Sequence, residues 1–177
     1  FGGSESGAVN GNASITIEDV YSITNTVVYN GYVCGGGKGL EAASTNGGNT
    51  TVTVDGGDYP NLTVFGACDI NGTINGKVDV IIGQNNTTKV GTIYGAGKNS
   101  RVTNATDSVY VYCYENASIV NDVYNGGKEA GIDGTNPRAV YIDGAIVSGN
   151  VYGGSYESGT LNSSNVYSVF LNLSKNS

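Results

Sequence analysis

Four basic residues, Lys98, Arg101, Lys128 and Arg138, stand in segments that follow short glycine-rich phrases, beside the acids Asp69, Asp107, Glu129 and Asp133. Charged side chains on loops of a rigid scaffold can take a ligand. Solvated loops also collect charge with no ligand in view. A second group is aromatic. Tyr110, Tyr112, Tyr141 and Tyr167 fall at outward positions of alternating segments. Rings aligned on successive layers would make a flat strip able to stack on sugar rings or meet another protein. The same rings can instead brace the scaffold by packing on one another.

Catalysis finds little to work with. There is no histidine, so neither Ser-His nor Cys-His chemistry has its base, and an ordinary zinc site lacks its usual ligand. The acids Glu18, Asp55, Glu115 and Asp143 sit at the ends of alternating segments, where Asp before Gly caps its own turn. No outward segment carries carboxylates on neighbouring repeats, so no enzyme is expected. No cofactor is expected either; Asp55, Asp58, Asp133 and Asp143, in Gly/Asn-rich turns, could give at most a weak calcium site, without EF-hand spacing. Cys34, Cys68 and Cys113 are an odd count with no metal-like spacing, which suits small core or corner residues. Ten Asn-X-Ser/Thr sequons, at Asn12, Asn49, Asn61, Asn71, Asn85, Asn86, Asn104, Asn116, Asn162 and Asn172, are glycan acceptors if the source cell glycosylates.

What positions these residues is a repeat. Phe1, Cys34, Phe65, Tyr94, Tyr124 and Tyr152 align on phrases such as "VFGACD", "IYGAGK", "VYNGGK" and "VYGGS", 28 to 33 residues apart. Cys34 stands where an aromatic belongs, with Tyr29 and Tyr32 close by. Each repeat also holds an alternating segment: "SITIED", "TVTVDG", "KVDVIIG", "SVYVYCYE", "AVYIDG" and, less regularly, "NVYSVFLN". Period-2 alternation marks a strand with one buried face. A weaker apolar spot, at Ile23, Leu62, Val90, Ile119 and Val147, precedes each phrase. A unit of about 30 residues cannot bury its apolar face alone and must stack on its neighbours. The chain has 29 Gly, 13 Tyr, no Met and no Trp, and its apolar positions are held by strand formers.

The expected fold is therefore all-β: one parallel β-helix, or β-solenoid, of about six coils, right-handed by the general rule for parallel crossovers. One domain covers 1–177, with repeats near 1–33, 34–64, 65–93, 94–123, 124–151 and 152–177. The glycine phrase reads as a joint, with positive φ expected at Gly95 and Gly153. The segments after each phrase read as loops along one edge. Such a chain, read as a solenoid, continues into neighbouring repeats or copies of itself, through Ile15 and Ile17 at one end and Val166, Val169 and Leu171 at the other.

Those phrases, recurring with "VxV-x-G" strands over essentially the whole chain, resemble the repeats of secreted parallel β-helix proteins of the adhesin-like cell-surface type. The resemblance implies an extracellular or cell-surface setting and transfers no catalytic residue. A net charge of −7 disfavours nucleic acid and anionic membranes as partners. The expected function is a non-catalytic structural or adhesive module, whose partners are other coils, glycans or a cell-surface protein. The alternatives are a glycan-binding or glycan-active β-helix protein, and more remotely an ice-binding solenoid, which would need a regular Thr array such as "TTVTV" at Thr50 to Val54.

Overall fold

The computed structural model describes residues 1–18, 31–100, 102, 108–129, 137–157 and 167–172. The alternating segments form a six-stranded parallel sheet, one strand per repeat: β2 (Ala13–Glu18), β5 (Thr50–Asp55), β8 (Val78–Ile82), β10 (Val109–Cys113), β13 (Arg138–Asp143) and β16 (Tyr167–Asn172). The stretch before each glycine phrase supplies a second parallel sheet. It contains β3 (Tyr32–Cys34), β6 (Gly57–Phe65), β9 (Thr88–Tyr94), β11 (Ala117–Ile119), β12 (Val123–Tyr124), β14 (Ile146–Val147) and β15 (Val151–Tyr152). The third sheet is short: β1 (Gly7–Val9), β4 (Ser44–Asn46) and β7 (Gly72–Ile74). The protein is a parallel β-solenoid, with no helix among the described residues. The stack amounts to about four turns, against the six expected; the third sheet spans three coils, and β13 and β16 carry the alternating sheet further.

The third sheet corrects one expectation. The segments after the glycine phrase are not simple loops. Three of them form strands in strict parallel register, Gly7 with Ser44 and Gly72, and Val9 with Asn46 and Ile74.

Parallel stacking turns the repeat into columns of side chains along the axis. On the inner face of the alternating sheet run Ile15–Val52–Val80–Val111–Val140–Val169 and Ile17–Val54–Ile82–Cys113–Ile142–Leu171. In the middle of the stack these residues are fully buried and meet Leu62, Val64, Val90, Ile93, Ile119 and Val123 from the second sheet. Each such side chain contributes about 1.5–3 kcal/mol by leaving water. On the outermost described strand, Val169 and Leu171 are 38% and 56% exposed.

Two different glycine corners hold the turns. After the alternating strand, Gly83 and Gly144 lie at φ +66° and +73°, a region where side chains are strained. After the aromatic, the reason is different. Gly95 and Gly153 do not have positive φ, contrary to expectation. Instead, a Cβ on Gly35, Gly66 or Gly95 would run into the carbonyl oxygen of Gly66, Gly95 or Asn125 one coil on. The backbones are drawn together there by Gly35 N–H donating to Phe65 O (2.9 Å), Gly66 N–H to Tyr94 O (3.0 Å) and Gly95 N–H to Tyr124 O (2.9 Å). Glycine is needed for close approach, not for handedness.

Asparagine and aspartate close the remaining corners. The Asn12 side-chain oxygen accepts from Asn49 N–H, and the Asn49 oxygen from Lys77 N–H, both at 2.9 Å. Asp55, buried at the end of β5, accepts from Asn85 N–H (2.8 Å), Asn85 Nδ2 (2.8 Å) and Asn86 N–H (3.0 Å) of the next coil. At Asn125 the glycine column is interrupted. With its amide oriented to satisfy both ends, its nitrogen donates to Val109 O (3.2 Å) and its oxygen accepts from Ala139 N–H (2.8 Å), stitching β10 to β13.

Candidate functional site

The aromatic of the repeated phrase forms a column of its own. Cys34, Phe65, Tyr94, Tyr124 and Tyr152 pair in register, confirming the alignment that set Cys34 in an aromatic's place. From Phe65 to Tyr152 the rings stack nearly parallel, 4.7 to 5.0 Å apart. At Cys34 no ring exists. Tyr32, two residues earlier and on the same side of the strand, swings in at 87° to Phe65. The column Tyr32–Thr63–Thr92 lies beside the aromatic column on the outer face of this sheet.

A third column follows the glycine joint. Backbone hydrogen bonds set Glu5, Lys38, Asp69, Lys98, Lys128 and Tyr156 on successive coils. Its charges alternate at first, with ion pairs Lys38–Glu5 (3.5 Å) and Lys98–Asp69 (3.3 Å). Then two lysines follow each other. Lys128 finds its acid sideways, at Glu129 (3.2 Å).

Where the aromatic column breaks, a cleft of about 340 Å³ opens, lined by Gly31, Tyr32, Asn61, Thr63, Phe65, Thr92, Tyr94, Lys98 and Lys128. Asp69, almost fully buried, organises its rim. It accepts from the Tyr32 hydroxyl at 2.6 Å and pairs with Lys98, whose ammonium also lies 4.5 Å from the Tyr32 ring centre. The hydrogen bond to Asp69, with burial second, pushes the Tyr32 phenol up to about 12, so it stays a neutral donor. Burial does the same for Tyr94, also to about 12.

The expected site residues scatter. Lys98 and Lys128 meet at this cleft. Arg101 lies outside the described residues. Arg138 was expected on the exposed edge but is fully buried. It begins β13 in the inward column Ala13–Thr50–Val78–Val109–Arg138. Tyr110, Tyr112 and Tyr141 do share the outer face of the alternating sheet, but their register differs from expectation. Tyr141 pairs with Tyr112, while Tyr110 pairs with Ala139. Tyr167 pairs with Arg138, leaving Phe170 to continue the outer column. Tyr112, Tyr141 and Phe170 stack within 9° of parallel at 5.1 and 4.8 Å, so their faces cover one another. Between Tyr110 and Tyr141 the slip is two residues, and a shift of two leaves every side chain on its own face, so alternation there fixes the face and not the pairing. At Tyr167 the slip is three, in the one segment whose alternation is irregular.

The threonine array is two coils wide: Ser14 and Thr16 beside Thr51 and Thr53, then Asp79 and Ile81. Of the calcium candidates, Asp55 is held by Asn85 and Asn86, Asp58 pairs with Lys89 at 3.6 Å, and Asp143 accepts from Asn172 at 2.7 Å. Asp133 lies outside the described residues. No group of three His, Cys, Asp or Glu gathers as a metal site among the described residues. Among the sequons, Asn85, Asn86 and Asn172 use Nδ2 to hold Asp55 or Asp143. Asn104 and Asn162 lie outside the described residues. All three cysteines are buried and unbridged.

Sequence reasoning missed Tyr32 and Tyr94 as members of a site, and named Asp69 only among the loop charges. The signal available was Cys34, the single break in the aromatic phrase. Fold and columns together define the class of protein, a parallel β-solenoid with stacked aromatic and charged columns. Comparison with known proteins adds no name: no family model, no curated protein and no solved structure matches the chain.

Proposed function

We propose that this chain is a rigid, non-catalytic module of an extracellular or cell-surface assembly: a stalk, adhesin or matrix element that extends by stacking further coils or copies of itself. The observation that carries this reading is the continuity of the columns. Apolar, aromatic, charged and backbone-bonded columns run from coil to coil, so most contacts serve stiffness along one axis. The phrases that resemble adhesin-like β-helix repeats are the same residues that make the joints. Immunolabelling of intact and permeabilised source cells with an antibody against this domain tests the setting. Labelling of intact cells is expected. Signal only after permeabilisation would overturn it.

A further inference from the structure

The cleft beside Tyr32 contains more than a packing fault requires. Cys34 removes one ring from the aromatic column, and Tyr32 covers part of the gap at right angles. What lies around the gap is chemically mixed. One wall is the column of Thr63 and Thr92 with Asn61, groups that both donate and accept. Lys98 and Lys128 line the cleft as well. The floor is ring: Phe65 and Tyr94, 2% and 6% exposed.

Two details point to a ligand. First, the Tyr94 hydroxyl makes no hydrogen bond among the described residues, although Tyr32 gives its proton to Asp69 and Tyr124 to Asp122. Of the two tyrosines that line the cleft, Tyr32 and Tyr94, Tyr94 is the one whose donor makes no such bond. Second, the charged column departs from alternation at this place. Lys128 follows Lys98 with no acid between them in the column, bringing two lysines to one cleft of a chain whose net charge is −7; each also meets one carboxylate, Asp69 at 3.3 Å and Glu129 at 3.2 Å. Such a chain does not gather anions by its overall field, so recognition of an anion must be local.

A ring wall, neutral hydroxyl and amide groups, and a pair of ammonium groups together match a sugar that carries a carboxylate. Hydroxyls and amides suit the ring hydroxyls of a sugar, the exposed ring of Tyr32, rather than the stacked and covered faces of Phe65 and Tyr94, suits its C–H face, and ammonium groups form charge-assisted hydrogen bonds with the acid. The volume, at the small end for small-molecule sites, suits one sugar unit better than a folded peptide. We infer that this cleft binds the acidic sugar unit of a glycan, a uronic or sialic acid, with Lys98 and Lys128 on its carboxylate, Thr63, Thr92 and Asn61 on its hydroxyls, and Tyr94 donating from the floor. The inference goes beyond the structural role above and does not depend on it, since binding is read on the purified chain.

The test is a glycan array carrying oligogalacturonate, oligoglucuronate and sialyl-lactose, each beside its neutral counterpart, with heparin as a sulfated control, followed by calorimetry on the best acidic probe. Binding to a carboxylated probe at least about tenfold tighter than to its neutral partner is expected. Which acidic series binds separates a uronic from a sialic source. The variants are Lys128→Gln, Thr92→Val and Tyr94→Phe, none of which removes the partner of buried Asp69; Lys98→Gln is added as a double with Lys128→Gln. Lys128→Gln is expected to weaken the acidic probe by about tenfold and leave the neutral one unchanged. Tyr94→Phe and Thr92→Val are expected to weaken it several-fold while melting like the parent. Equal binding of acidic and neutral probes, binding of heparin alone, no binding of any acidic probe, or unchanged affinity in Lys128→Gln with Tyr94→Phe would each overturn the assignment.

Discussion

Replacing Gly95 by alanine adds one methyl group to a joint that has no room for it. The new Cβ would overlap the Asn125 carbonyl oxygen of the next coil and lie 2.9 Å from Val109 Cγ1. One obstacle is main chain and cannot rotate away, so the coils must part. Parting them strains the bonds from Gly95 N–H to Tyr124 O and from Ala96 N–H to Gly126 O, 2.9 and 3.2 Å long. Two weakened backbone bonds at about 1 kcal/mol each, with overpacking of about 1–3 kcal/mol, place the cost at about 3–5 kcal/mol. Gly11→Ala is the matched control. Gly11 has no positive φ, and a Cβ there meets nothing within 4 Å. It is expected to stay within about 0.5 kcal/mol, or to gain slightly through a less flexible unfolded chain. Urea unfolding of the three proteins, followed by circular dichroism, gives the comparison. If Gly95→Ala and Gly11→Ala unfold at the same midpoint, close approach is not why glycine follows the aromatic.

Further outcomes concern the corners, the ring column and the thiols. Burial opposes charge on Asp55, but the hydrogen bonds from Asn85 and Asn86 prevail and hold its carboxyl below the usual range. Its stabilisation is therefore complete above the unfolded value, near 3.9, and is lost as pH falls through the lower folded value; Asp55→Ala should cost about 2–4 kcal/mol at pH 7 and flatten the acid limb of the stability curve. Tyr124, stacked between Tyr94 (5.0 Å) and Tyr152 (4.7 Å), should cost about 3–5 kcal/mol on change to Ala, in the same urea assay. Burial pushes the Cys113 thiol up to about 12 and raises Cys34 and Cys68 as well; a thiol reagent at pH 8 should leave all three unmodified in the native chain and label all three in urea, and rapid native labelling would contradict the packing.

The fold was legible where side chains repeat with a physical period. The phrase around Phe65, Tyr94 and Tyr124 gave the column and its register, because a ring before a tight joint cannot move by one residue without entering the core. The pairing of Tyr110, Tyr112 and Tyr141 was not legible, since their strand can slide by two and keep its faces. The third sheet was hidden because β1, β4 and β7 read as Gly, Thr and Asn with little apolar alternation; Ser44 and Asn46 are buried there by hydrogen bonding instead. Arg138 looked like a loop cation because it follows Asn136 and Pro137, and only the strand register reveals it as an inward residue. The cleft was invisible for another reason. It is made by a missing ring at Cys34 and by Asp69, which lies 37 residues from the Tyr32 it holds.

The two families of contact differ in direction, and that has a mechanical consequence. The hydrogen bonds that join coils, such as Gly66 N–H to Tyr94 O, point along the axis. A pull along the axis therefore loads one interface at a time, opening it like a zipper at modest force, and each coil that peels away lets out its own slack. A sideways pull must shear many such bonds together and meets far greater resistance. A solenoid built this way yields in small steps when stretched end to end, absorbing a sudden tug while the coils still in contact hold.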